Sequence, residues 1–247
     1  MPKPSFEILL SENEKIILAR VLSKFDLPFK KYPDFGTWSY IINTDKGLII
    51  FDVGPKYNSF LPILRSFAKK TNNAEIIINT VKKYFPGKPI REILISHYHF
   101  DHSEAAPELQ QKANENFGFL PPIRIHKNDT ESKRFVKIFK SGLSCVFKKA
   151  GCQNWKMGEN LEDGENINGT NFTVSHAPGH TTGSVALVNE KKKIVICGWW
   201  TEGIKNLIVR NILEKLTEED KKNISISIRK IRKLGYSFYF YHPECDL

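Results

Sequence analysis

Three histidines and an aspartate crowd into six consecutive residues, His97-Tyr98-His99-Phe100-Asp101-His102, and this clustering constrains the chain more than anything else in it. It follows the run REILIS at 91–96, which reads as a short buried strand. Just beyond a strand, side chains two positions apart project from one side, so the imidazoles of His97 and His99 can converge on a single cation. Asp101 and His102 begin the bend into a following helix and can point toward a neighbouring position. Two histidines do not close a site, because catalytic zinc takes three protein ligands plus water. Two further histidines stand at strand ends. His180 lies in Ala177-Pro178-Gly179-His180-Thr181-Thr182-Gly183-Ser184, where Pro178 and Gly179 set a sharp turn after a strand at 172–175. His242 lies in Tyr241-His242-Pro243, just past the last apolar strand. His126 and His176 match no ligand role and read as packed or hydrogen-bonded near strand ends.

The remaining pattern describes the scaffold around that cluster. Strands are expected over 15–22, 39–43, 48–51, 91–96, 123–126, 172–175, 185–188, 194–197 and 238–241. Helices are expected over 59–70, 74–84, 103–116, 130–139 and 218–234, the third capped by Ser103 and ended by Gly118. The first three strands form a meander. Strands fall in two groups with helices between and after them, which favours an α+β arrangement of two packed sheets over a regular βαβ alternation. With no repeat, low-complexity tract or long linker, residues 1–247 read as one domain.

Composition sets the remaining bounds. The chain carries 37 Lys plus Arg against 27 Asp plus Glu, a formal charge of +10, yet only eight of the 37 are Arg, the residue suited to bidentate phosphate recognition. Between Lys127 and Lys156, eight basic residues face only Asp129 and Glu131, which reads as a solvated face. Scarce Arg and the lack of an RNA-binding motif speak against nucleic acid. Cys145, Cys152, Cys197 and Cys245 form no CxxC pair. No run approaches a membrane span, and the N-terminus lacks the apolar core of a signal peptide, so a cytoplasmic protein without a membrane partner is expected.

HisTyrHisPheAspHis at 97–102 matches the HxHxDH signature of the metallo-β-lactamase-fold hydrolases, and most of the chain resembles that family. LeuIleIlePheAspValGly at 48–54 is similar to its early strand ending in Asp-x-Gly, ProGlyHisThrThrGlySer at 178–184 to its later histidine loop, and IleValIleCysGly at 194–198 to the strand that follows. The resemblance implies a four-layer αββα sandwich, two mixed β-sheets packed face to face with helices outside. It implies one metal on His97, His99 and His180, and a second on Asp101, His102 and His242. By the same resemblance, Asp52 accepts a hydrogen bond from a ligand imidazole and fixes its tautomer. One position departs from the family: Trp199 stands where an aspartate usually bridges the two metals, and indole cannot replace a carboxylate ligand. Three arrangements remain open: a filled second site, a mononuclear zinc or iron centre with Asp101 as base, or a degenerate site. Cys197 or Glu202 could compensate for the missing carboxylate, although Cys197 reads better as a buried inert thiol and Glu202 as a solvated side chain.

The chemistry implied is hydrolysis by a metal-activated hydroxide, with one or two zinc ions as cofactor and Asp101 orienting the nucleophile. A small ester, thioester or lactone is the expected substrate, with a phosphodiester less favoured. Trp38, Trp155, Trp199 and Trp200 could wall a pocket, though aromatic residues more often pack in a core. A mononuclear iron dioxygenase of the persulfide-dioxygenase type and a metal-binding non-enzyme are the competing readings. A homo-oligomer is compatible with all of them.

Overall fold

A computed structural model describes residues 6–24, 36–56, 72–130, 155–198 and 218–240. Outside them lie His242, Trp199, Trp200, Glu202, three of the four cysteines, the helix expected at 59–70 and nearly all of the helix expected at 130–139.

The first half builds an antiparallel meander of β1 (Phe6–Glu12), β2 (Lys15–Lys24), β3 (Gly36–Thr44) and β4 (Gly47–Phe51). After α1 (Asn73–Tyr84), β5 (Ile90–Leu94) joins β4 in parallel, and β6 (Ile123–Arg124) joins β5 in parallel. The resulting sheet is six-stranded, in the order β1-β2-β3-β4-β5-β6. In the second half β7 (Thr173–His176), β8 (Val185–Asn189) and β9 (Ile194–Cys197) are antiparallel neighbours, and β10 (Ser237–Phe240) pairs in parallel with β9. All five residues of β4 and of β8, and all four of β9, are buried, as expected for strands covered on both faces.

Strand alternation sorts side chains into layers. Trp38, Tyr40 and Ile42 of β3 and Phe51 of β4 meet Val174, Leu187 and Ile196 of the second sheet and Phe172 just before β7, so the two sheets share one apolar seam. From the opposite face of the first sheet, Ile41, Ile50 and Ile93 pack against Ile77 and Val81 of α1 and Leu109 of α3 (Ala106–Phe117). The outer face of the second sheet, with Val195 and Cys197, packs against Ile228 and Ile231 of α5 (Glu218–Arg232). Helix, sheet, sheet and helix thus form four layers. Each fully buried aliphatic side chain at these seams contributes roughly 1.5–3 kcal/mol over exposure.

Several local expectations change. Phe6–Glu12, not anticipated as a strand, forms the sheet edge, and its half-buried pattern explains why it carries little periodic signal. Ser103 does not cap a helix. It closes the short turn α2 (Phe100–Ser103), where its hydroxyl donates to the carbonyls of Tyr98 and His99, and α3 starts three residues later. Trp38 and Trp155 are core residues rather than pocket walls. Among the described residues no helix is long and apolar enough to cross a membrane.

Candidate metal centre

The site forms where the ends of the two sheets meet. Beyond β5 the chain continues through Ile95 and Ser96 into His97, and the Ser96 carbonyl accepts the backbone N–H of Val185, which opens β8. The loop between β7 and β8 carries His180. Its turn is held by Gly179 N–H to the Thr181 carbonyl and by Thr181 N–H to Ser184 Oγ, and Gly179 adopts φ 136°. That positive φ is accessible to glycine at little cost.

His97, His99 and His180 converge there. His97 Nε2 lies 3.1 Å from His99 Nδ1 and 3.1 Å from His180 Nε2. The three rings meet edge to face at 78°, 79° and 85°, and one ligand atom from each lies within 4.8 Å of the others. Two nitrogens on a tetrahedral zinc with bonds of about 2.0–2.1 Å stand about 3.3 Å apart, so this donor set suits a small divalent cation. Burial holds the His99 ring well below the usual imidazole value, and the His180 ring beside it adds to the effect. A neutral ring has the lone pair that ligation needs.

Behind the histidines lies a fully buried carboxylate. Asp52 follows β4 at φ 59°, a left-handed conformation that Asp tolerates better than most residues. Its Oδ1 accepts the Ser96 N–H at 2.8 Å, and its Oδ2 accepts the Ser96 hydroxyl at 2.8 Å and His102 Nδ1–H at 2.9 Å. Ser96 Oγ is also 2.9 Å from His97 Nδ1. With the hydroxyl hydrogen given to Asp52, Ser96 Oγ accepts His97 Nδ1–H, which leaves the His97 Nε2 lone pair facing the other two histidines. The same carboxylate leaves His102 Nε2 facing Asp101 Oδ2 at 3.6 Å. Burial pushes the Asp52 carboxyl well above its ordinary range, the two Ser96 bonds pull it back, and Asp101 raises it further. Gly198, just after β9, completes the packing: a Cβ there would stand 2.0 Å from Ser96 Oγ.

Of the seven residues singled out in the sequence, the structure thus gathers His97, His99 and His180 in one group and places Asp101, His102 and Asp52 beside it; His242 lies outside the described residues. Cys197 is buried in the apolar layer against α5. Sequence reasoning missed two residues. Ser96 gave no signal beyond its place before His97. Asp129, expected on a solvated basic face, is instead fully buried in α4 (Lys127–Thr130), where it binds both histidine loops.

His126 and His176 stack face to face with ring centroids 4.2 Å apart. His126 Nδ1 accepts the Asn128 N–H, and His176 Nε2 donates to the Thr182 carbonyl. The His126 ring is pushed below its usual value, first by burial and next by His176; Lys127 adds to this, while Glu162 and Asp163 oppose it. A histidine kept neutral in the fold binds fewer protons than in the unfolded chain, so stability falls as pH drops below about 6.5 toward the lowered folded value. Denaturant midpoints measured from about pH 7.5 to about pH 5.5 should fall less steeply in His126→Gln than in the parent. Equal slopes would remove His126 as a source of acid sensitivity.

An αββα sandwich with a histidine cluster at the sheet ends defines a class of metal-site proteins, and comparison with known proteins identifies the family. The family model described as the metallo-beta-lactamase superfamily matches residues 32–198, more than half of the chain. The chain belongs to that superfamily. Solved structures share the fold at low identity. The metallo-beta-lactamase family protein TTHA1429 from Thermus thermophilus is 15% identical with a TM-score of 0.60, covering 92% of this chain and 73% of that one. The metallo-beta-lactamase MIM-1 from Novosphingobium pentaromativorans is 17% identical with a TM-score of 0.56, covering 85% and 74%. A variant of AiiA from B. thuringiensis, with N-decanoyl-L-homoserine bound at its active site, is 16% identical with a TM-score of 0.52, covering 84% and 81%. No curated protein matches the sequence.

Proposed function

We propose that this protein is a metal-dependent hydrolase of small carbonyl substrates: esters, thioesters or lactones. The observation that carries the reading is the convergence of His97 Nε2, His99 Nδ1 and His180 Nε2 from two sheets on one point. In it, His97, His99 and His180 hold one zinc ion, and Asp101, His102 and His242 form a second ligand set. A divalent cation held there would lower the pKa of a bound water to about 7 and polarise a carbonyl oxygen. The protein's own part is orientation. Asp52 and Ser96 keep the His97 and His102 lone pairs on the open side. Asp101, partly exposed, orients the attacking water and takes its proton at a carboxylate oxygen. That AiiA, which shares the fold, binds N-decanoyl-L-homoserine at its active site supports including acyl lactones among the trial substrates. A small-molecule substrate and a cytoplasmic location belong to the same reading, which rests on few arginines, on cysteines without a CxxC pair or dense framework, and on the lack of an apolar run of membrane-span length.

The test is protein purified without added metal, analysed for metal content, and assayed after zinc loading against ester, thioester, lactone and phosphodiester panels. Turnover of one carbonyl class, abolished in His97→Ala, is the expected result. One iron per chain with oxygen-dependent turnover of a thiol substrate would replace the hydrolase reading by a dioxygenase. Silence across all panels in zinc-replete protein would replace it by a non-catalytic metal binder.

A further inference from the structure

A buried charged side chain that belongs to neither histidine-bearing loop ties the two directly to each other. Asp129 sits in α4, between the sheets' ends, with no exposed surface. Its Oδ2 accepts the backbone N–H of Tyr98, the residue between His97 and His99, at 3.0 Å. The same oxygen accepts the hydroxyl of Thr181, the residue after His180, at 2.9 Å. Its Oδ1 accepts the Gly183 N–H at 2.7 Å. His97 and His180 are 83 residues apart in the chain, and this carboxylate grips the residue next to each. The approach is close enough to dictate a glycine: a Cβ on Gly183 would lie 2.6 Å from Asp129 Oδ1 and 2.7 Å from its Cγ. Asn128 reinforces the bridge, with its amide donating to the Thr182 carbonyl and its own carbonyl accepting the Thr182 hydroxyl, each at 3.3 Å.

We infer that Asp129 is a positioning residue that sets the spacing between the His97/His99 pair and His180, and so tunes the affinity and coordination geometry of the cation they hold. The inference rests on reading those three histidines as a metal site. The physical argument is directional. The Tyr98 N–H, the Thr181 hydroxyl and the Gly183 N–H are all donors to the carboxylate, and an acceptor-only side chain satisfies the three together. Asparagine has the same shape but turns one end into a donor, so at least one of these three bonds is lost. Buried groups behind metal ligands that are disrupted in this way typically weaken metal binding by 10–100-fold.

The experiment measures zinc(II) affinity of the full chain by competition with a chromogenic chelator, together with the visible spectrum of the cobalt(II)-loaded protein. It compares the parent with Asp129→Asn, Thr181→Val, Thr181→Ser and His97→Ala. Zinc binding by the parent that is lost in His97→Ala establishes the site itself; no binding by the parent would end both readings. Given that site, Asp129→Asn is expected to bind zinc about 10–100-fold more weakly and to shift the cobalt bands. Thr181→Val should fall between it and the parent, and Thr181→Ser, which keeps the hydroxyl, should restore the parent affinity. A purely structural carboxylate would lower the thermal midpoint of the metal-free protein and leave the affinity and spectrum of the folded variant untouched; that result overturns the inference. Should Asp129→Asn fail to fold, the two Thr181 variants decide alone, and equal zinc affinity in both overturns it.

Discussion

His180→Ala is expected to weaken zinc binding by at least about 100-fold and to lower kcat/KM by a similar factor, while leaving the fold in place. The magnitude follows from scale: loss of a group that merely supports a ligand costs about 10–100-fold in affinity, and loss of the ligand itself should reach or exceed the top of that range. The fold should survive because the loop does not depend on the imidazole. Thr181 N–H is held by Ser184 Oγ, Gly183 N–H by Asp129, and the Pro178 carbonyl by Ser227 of α5. Chelator competition reads the affinity, steady-state kinetics of the zinc-loaded protein reads kcat/KM, and circular dichroism with a denaturant midpoint reads the fold. Undiminished zinc affinity in a folded variant would mean that the three histidines are not a ligand set.

Asp52→Ala should be the most destabilising single change around the site, at about 3 kcal/mol or more from the unmade buried hydrogen bonds. It strands the N–H and hydroxyl of Ser96 and the Nδ1–H of His102 in a fully buried position, and an unmade buried hydrogen bond costs about 1–3 kcal/mol. Alanine must also adopt φ 59°, which aspartate and asparagine tolerate better. Asp52→Asn separates two roles. Because burial drives the carboxyl upward, a neutral amide avoids much of the charge-burial cost, so its denaturant midpoint should lie nearer the parent's. Its amide cannot accept from both Ser96 Oγ and His102 Nδ1 at one oxygen and also serve the Ser96 N–H without turning its NH2 toward a donor. Metal affinity should therefore fall in the asparagine variant although most stability returns. If Ala and Asn were equally destabilised, backbone conformation and charge burial would not account for the difference proposed here.

How much of this could be read from the residues depended on how local each cause is. Strands β4, β8 and β9 are apolar runs bounded by turn residues, and their positions follow from a few consecutive side chains. The His97–His102 cluster is equally local, and the fold and the family followed from it with the Asp-x-Gly and Gly-His-Thr segments. Ser103 misled because its hydroxyl had two carbonyls within reach in the α2 turn, and these were preferred to the α3 N-terminus. Asp129 misled for the opposite reason. Its donors lie 31, 52 and 54 residues away, and nothing among its lysine-rich neighbours reveals that the chain closes over it. Strand β1 escaped because an edge strand half in contact with solvent needs no strict alternation.

The histidine donors are divided between the two sheets, with His97 and His99 leaving the first and His180 leaving the second. A peptide finger that curls around its ion gains both structure and cargo at once, but here neither half of the chain holds a complete set of donors. Tight capture of a cation by these donors would therefore require the long-range docking of one sheet on the other, and such an ion would reward a finished structure rather than nucleate one.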